Sequence, residues 1–245
     1  MKRSIITLLF IMSTPTVLFA QECVPHLSMG QPGESDVVLC REGYAVGYNE
    51  QLKVADWVAY YVTKESVNAY SPRTDYFKLD FEIDPPFRAS SFDYNHSGYD
   101  RGHLAPAGTI DFSKHSVQQS FLMSNIAPQL PGFNRGGWKG LEQYVRDWAN
   151  VYQSLYIVTG PIWDGEESYI GNGVYIPNRF FKVILDPQMN EAIAFILPHR
   201  KISTSELPLF ITTVDEVETA TNLNFFNVIP DSIEEDMEQQ HLEMW

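Results

Sequence analysis

Three scarcities narrow the chemistry of this 245-residue chain before any motif is considered. Only two cysteines are present, Cys23 and Cys40, too few for a thiolate zinc cluster. Past the first twenty residues there is no second stretch that would anchor the chain in a membrane. Positive charge is thin: 17 Lys and Arg stand against 31 Asp and Glu, for a net charge of −14. After Lys201 it vanishes, while ten acids follow between Glu206 and Glu243. That balance excludes a protein coated in basic surface but permits a local basic groove. Signatures of the HExxH, Walker A, EF-hand and GxSxG types are missing too, which leaves zinc protease, NTPase and serine hydrolase readings without support.

What is present describes an exported globular protein. Lys2 and Arg3 precede an almost uncharged stretch from Ser4 to Phe19, and Ala20 is a candidate last residue before cleavage. Residues 1–20 are therefore expected to be a signal peptide, with a retained membrane anchor as the alternative. In an oxidising compartment Cys23 and Cys40 are expected to form a disulfide, worth about 3 kcal/mol in the chain-entropy model. A redox role is disfavoured because neither sits in a CxxC setting. With 44% hydrophobic and 13% aromatic residues, the rest can bury a large core.

Periodicity places the elements. Tyr44–Val62 reads as a hairpin entering the core, and FKLDFEID (Phe77–Asp84) alternates like a half-buried strand before Pro85-Pro86. Ser113 caps a helix running toward Ser124. Between Asn134 and Asn150, Trp138, Leu141, Val145 and Trp148 fall on one helical face. Ser154–Gly160, Arg179–Asp186 and Glu191–Pro198 read as buried strands, and Thr213 to Glu216 is a capping box opening a helix through Ala220. Residues 21–230 form one expected domain, and 231–245 an acidic tail, either a solvated helix or frayed. Strands and helices do not alternate regularly, so the fold class is α+β with a mixed or antiparallel sheet.

The chemistry gathers around YDRGHLAPAG. His103 follows Arg101 and Gly102, with small residues after it. A catalytic base needs one ring nitrogen free and the other oriented by an acceptor. Some thirty residues on, Asn134 opens the amphipathic helix, and Glu142 and Arg146 share a face at i, i+4. That spacing equally describes a surface ion pair, and Asn134 equally an N-cap. Arg135 and Lys139 add positive charge where a polyanion would dock. His96, His115, His199 and His241 lack such companions and read as surface or structural, and His26 as incidental.

GYDRGHLAPAG, SNIAPQ and FNRGGWKGLEQYVR, in this order and spacing, resemble the DNA/RNA non-specific endonucleases, the ββα-metal (His-Me finger) nucleases named for their DRGH motif. VTGPIW, VYIPNRFFKVILD and TVDEVE fit that family's later segments, so the likeness covers roughly Tyr44 to Phe226. The resemblance implies a ββα-metal core on a mixed or antiparallel central sheet with flanking helices. It implies His103 as the general base and Asn134 as the sole direct protein ligand of one hydrated Mg²⁺, with Mn²⁺ as a substitute. Glu142 would orient the ion's waters, Arg101 and Arg146 would neutralise phosphate, and Asn125 would support the site on the substrate side.

These roles are chemically coherent. A phosphodiester repels hydroxide, and one divalent cation stabilises both the transition state and the leaving alkoxide. Mg²⁺ dehydrates reluctantly, so a one-ligand site is reasonable. No helix rich in Arg, Asn and Gln offers major-groove readout, and no aromatic cluster marks a single-strand module. The expected function is a secreted or periplasmic Mg²⁺-dependent endonuclease acting on DNA and RNA with little sequence preference and no stable membrane association. The rivals are an inactive nucleic-acid- or partner-binding protein of the same fold and a narrower phosphodiesterase.

Overall fold

The computed structural model describes residues 23–73 and 76–245; the expected signal peptide lies outside them. A seven-stranded antiparallel sheet forms the centre. Its strands are β1 (Val37–Cys40), β2 (Ala45–Asn49), β3 (Val54–Thr63), β6 (Ser154–Ile162), β9 (Arg179–Asp186), β10 (Glu191–Pro198) and β11 (Ile211–Thr212), in that spatial order. The remaining strands are two small ribbons, β4 (Asp100–His103) with β5 (Ile126–Gln129) and β7 (Tyr169–Ile170) with β8 (Val174–Tyr175). The helices are α1 (Lys64–Asn68), α2 (Lys114–Ser120), α3 (Lys139–Tyr152), α4 (Val214–Thr221) and α5 (Asp231–Glu238).

All nine residues of β6 are buried, so both faces of the sheet are covered. Period-two alternation divides them: Leu155 and Ile157 face one apolar cluster, Tyr156 and Val158 the other. The first cluster takes Leu141, Val145 and Trp148 of α3, and the second takes Val214 and Val217 of α4 and Met237 of α5. The architecture is thus three layers, with the ββα unit of β4, β5 and α3 on one face and α4 and α5 on the other. Among the described residues no helix is long and apolar enough to cross a membrane.

Most elements fall where periodicity puts them, including the hairpin of β2 and β3, the three buried strands and the boxed helix α4 capped by Thr213. Cys23 and Cys40 are bonded as expected. Three expectations need correction. Phe77–Asp84 is no strand; it makes one isolated bridge, between Lys78 and Leu122. Its alternation reflects anchoring by charge: buried Asp80 accepts from Arg41 at 2.7 Å and from Ser124 at 2.6 Å, while Phe81 is left exposed. His26 is not incidental but a buried brace, with Nε2 against the Glu42 carbonyl and Nδ1 accepting from the Tyr61 amide. The tail is not frayed either. Met237 and Glu238 of α5 are buried, and Trp245 packs on Trp148 and Tyr152 while its carbonyl accepts from the Trp148 indole at 3.0 Å.

Candidate active site

The DRGH tetrapeptide is strand β4 itself. Strand alternation sends Arg101 and His103 to one side and Asp100 and Gly102 to the other. A Cβ on Gly102 would lie 2.2 Å from the Gln129 side chain, so glycine lets β4 and β5 close on each other. The chain then enters a six-residue π-type turn, Phe133–Trp138, before α3. Gly136 in that turn lies 2.3 Å, measured from a built Cβ, from the Ile202 carbonyl, a gap no side chain can enter. The Trp138 indole donates to the His103 carbonyl at 3.1 Å, fastening the head of the helix to the end of the strand.

His103 is half-buried against Phe77 and Phe121, at ring-centroid distances of 5.6 and 4.9 Å. Its Nε2 is buried without a hydrogen-bond partner. Burial, and after it the charge of Arg73, pushes the imidazole down to about 3, which favours its neutral form. Asn125, wholly buried beneath it, donates to the carbonyls of Ala105 and Ser120 and accepts from the Ala105 amide at 2.8 Å. With its amide spent inside the protein it braces the loop after His103, a supporting role through hydrogen bonds.

Asn134 lies in the π-type turn and donates from Nδ2 to Asp100 at 3.0 Å. That bond orients the amide and leaves Oδ1 as its cation-binding end. Arg135 grips the same carboxylate with two bonds, at 2.8 and 2.6 Å. Burial raises the Asp100 carboxyl, but the hydrogen bonds from Arg135 and Asn134 and the Arg135 charge outweigh it, holding the group below its usual range. Arg101 donates to the Ser91 carbonyl and to Asn95 Oδ1 and lies over the rings of Phe77 and Tyr94, bracing the loop ahead of β4.

Glu142 is no partner in a surface pair with Arg146. Arg146 instead donates to Thr109 at 3.0 Å and to Gln143 at 2.6 Å. Glu142 is half-buried; burial raises its carboxyl, and the charges of Lys182, Arg146, Arg73 and Lys139, in that order, oppose the rise. Lys182 is the least expected of these. It rises from β9 in the middle of the sheet, is wholly buried, lies 4.5 Å over the Trp138 ring and donates to the Tyr60 hydroxyl at 3.3 Å. Burial depresses its ammonium, and the Glu142 charge works against that. Arg73, over the Phe121 ring at 5.4 Å, also influences His103 and Asp111.

The ββα unit carries His103, Asn134, Glu142 and Arg146, and two cations the sequence did not single out act on it: Arg73 on both His103 and Glu142, and Lys182 on Glu142. Arg73 belongs to no motif, and Lys182 reads in RFFKVILD as a polar interruption of a strand. A lysine inside a fully buried strand was the one available signal. The donors suited to a cation are all oxygens, Asn134 Oδ1 and the Glu142 carboxylate, which fits a hard, largely hydrated ion such as Mg²⁺. Beside α3, Arg135, Lys139 and Arg146 line an open groove suited to a polyanion.

The model of the DNA/RNA non-specific endonuclease family matches residues 25–232. Nuclease C1 of Cunninghamella echinulata var. echinulata is 35% identical over 219 residues, covering 82% of this chain and 87% of the relative. Human mitochondrial endonuclease G is 31% identical over 214 residues, covering 80% of this chain and 71% of the relative. A solved EndoG/EndoGI complex superposes with a TM-score of 0.79 at 31% identity, covering 87% of this chain and 93% of that one.

Proposed function

The chain belongs to the DNA/RNA non-specific endonuclease family, and from that premise we propose that it is an exported, Mg²⁺-dependent nuclease in which His103 is the general base. The observation that carries this reading is an imidazole at the end of β4 whose Nε2 has no hydrogen-bond partner in the protein, in a site where the Glu142 carboxylate feels the charges of Lys182, Arg146, Arg73 and Lys139 in a chain of net charge −14. A neutral imidazole can take a proton from the attacking water, as an imidazolium cannot. Asn134 Oδ1 and Glu142 would hold the ion, with Asp100 fixing the Asn134 rotamer. When bound, Mg²⁺ supplies charge to the phosphoryl oxygens and the leaving alkoxide. Arg73, Arg146 and Lys139 draw the phosphate backbone in, and none of these contacts reads base edges, so both DNA and RNA are accommodated. The Cys23–Cys40 disulfide supports export into an oxidising compartment.

Digestion of supercoiled plasmid and long RNA, with Mg²⁺ and with EDTA, tests the assignment. His103→Ala is expected to lower the cleavage rate by about 10²–10⁴ while unfolding at an unchanged temperature. Full activity in that variant would remove His103 as the base. Absence of cleavage by the unsubstituted protein with every divalent ion tried would leave the binding-protein reading in its place.

A further inference from the structure

On the opposite face of the sheet, α4 and α5 bring carboxylates together, with no ion pair to match them among the described residues. Oxygens of Asp215, Glu218 and Glu238 lie within 4.8 Å of one another. Glu238 is only 7% exposed, and its Oε1 is buried without a hydrogen-bond partner. Glu234, one turn earlier on α5, also has a buried, unpartnered Oε1. Glu218 spends Oε1 on the Phe225 amide at 2.7 Å, which fixes the direction of its carboxylate. The sequence holds no Lys or Arg beyond Lys201, and among the described residues no ion pair reaches these four acids.

A buried carboxylate without a partner is expensive, and several together cost more through mutual repulsion. Burial first, then the charges of Glu218, Glu234 and Asp215, pushes Glu238 up to about 8. Burial also raises Glu218 and Glu234, again with neighbouring acids adding to it. The chain gains nothing visible from this arrangement unless something positive sits within it.

We propose that Asp215, Glu218 and Glu238 form a calcium-binding site that ties α5 to α4. Calcium accepts six to eight oxygens in loose geometry, which carboxylates from two helices together with water can supply. Magnesium demands a near-ideal octahedron, keeps several of its waters and is usually held by one or two carboxylates, which suits a cluster of three less well. Glu234 stands as a fourth acid at the rim, and water completes the shell. The site is separate from the catalytic face, and its evidence does not depend on the nuclease assignment.

Thermal unfolding of the EDTA-stripped mature chain, titrated with CaCl₂ or MgCl₂ near neutral pH, tests the site without reference to activity. At a hundredfold excess over its dissociation constant, calcium should raise Tm by about 5–10 °C. The shift should persist in Asn134→Ala, which separates it from any ion at the catalytic face. In Glu238→Gln and in Asp215→Asn, calorimetric titration should show calcium affinity reduced at least about tenfold. Two variants in different helices guard against one that folds poorly. No response up to about 10 mM calcium, beyond the weakest range of calcium modules, overturns the proposal. So does a response unchanged in both carboxylate variants or lost in Asn134→Ala. An equal or larger shift with magnesium overturns the calcium assignment.

Discussion

Glu142 and Glu238 are both carboxylates drawn into the protein from a helix, and burial raises both. The charges acting on Glu142 are positive, from Lys182, Arg146, Arg73 and Lys139; those acting on Glu238 are negative, from Glu218, Glu234 and Asp215. The central sheet separates the two settings, with Glu142 on the α3 side and Glu238 on the α5 side. A net charge of −14 therefore says little about either site. The few cations are concentrated where a polyanion must be met, and acids accumulate where nucleic acid has no reason to approach. A carboxylate among cations is held ready for chemistry. A carboxylate among carboxylates waits for an ion.

Lys182→Met breaks the comparison most directly, because it removes the largest attractive charge acting on Glu142 and makes that residue more like Glu238. Methionine fills a similar volume in a buried strand, so Tm should move by no more than a few degrees. Loss of the ammonium lets burial raise the Glu142 carboxyl further and protonate more of it at pH 7. The expected result is a fall in kcat/KM of about 10- to 100-fold at pH 7, partly recovered near pH 9 where the carboxyl ionises again. A uniform loss across that pH range would show that Lys182 serves packing alone.

Lys182 also marks the limit of what the sequence disclosed. His103, Asn134 and Glu142 could be nominated because they stand in motifs with ordered spacing, and the strands were legible because β-branched and aromatic runs are bounded by turns. Lys182, on the interior strand β9, comes to the site through the pairing of β9 with β6, a contact between separate segments that no local pattern contains. Phe77–Asp84 misled for the opposite reason: its alternation was real, but the Arg41–Asp80 pair, 39 residues apart, fixes the backbone as a loop. The choice between a solvated helix and a frayed tail stayed open because charge counts cannot see Met237 and Trp245, whose burial and aromatic contacts dock the segment. Local signals were read correctly; contacts made across the sheet were not available to them.

His103 offers a second, smaller break, through stability instead of rate. Its pKa falls from 6.5 to about 3 on folding, so the folded state binds fewer protons than the unfolded one. Its contribution is fully present above about pH 6.5 and is lost progressively as pH falls toward 3. Between pH 7 and pH 5 that loss amounts to at most about 2 kcal/mol, less for the part of the ring that meets solvent. His103→Ala should therefore lose less Tm than the unsubstituted protein over that interval, although it is inactive. Parallel Tm curves for the two proteins would show that the imidazole is not desolvated.

The smallest effect separates the two forces that hold the acidic segment. If calcium alone docked α5, residues beyond it would matter little; instead Trp245 contacts Trp148 and Tyr152 at 5.4 and 5.1 Å between centroids. Trp245→Ala removes both aromatic contacts at about 0.5–1.5 kcal/mol each beyond area burial, while the backbone carbonyl that receives the Trp148 indole remains. Tm should fall by at least about 2 °C in calcium-free buffer. The calcium-induced rise should keep its full size, because Asp215, Glu218 and Glu238 are untouched. A rise that shrinks with the aromatic contacts would mean that the cation and the tryptophan stabilise one cooperative unit, and the contrast between the two glutamates would then extend through α5 to the α3 face.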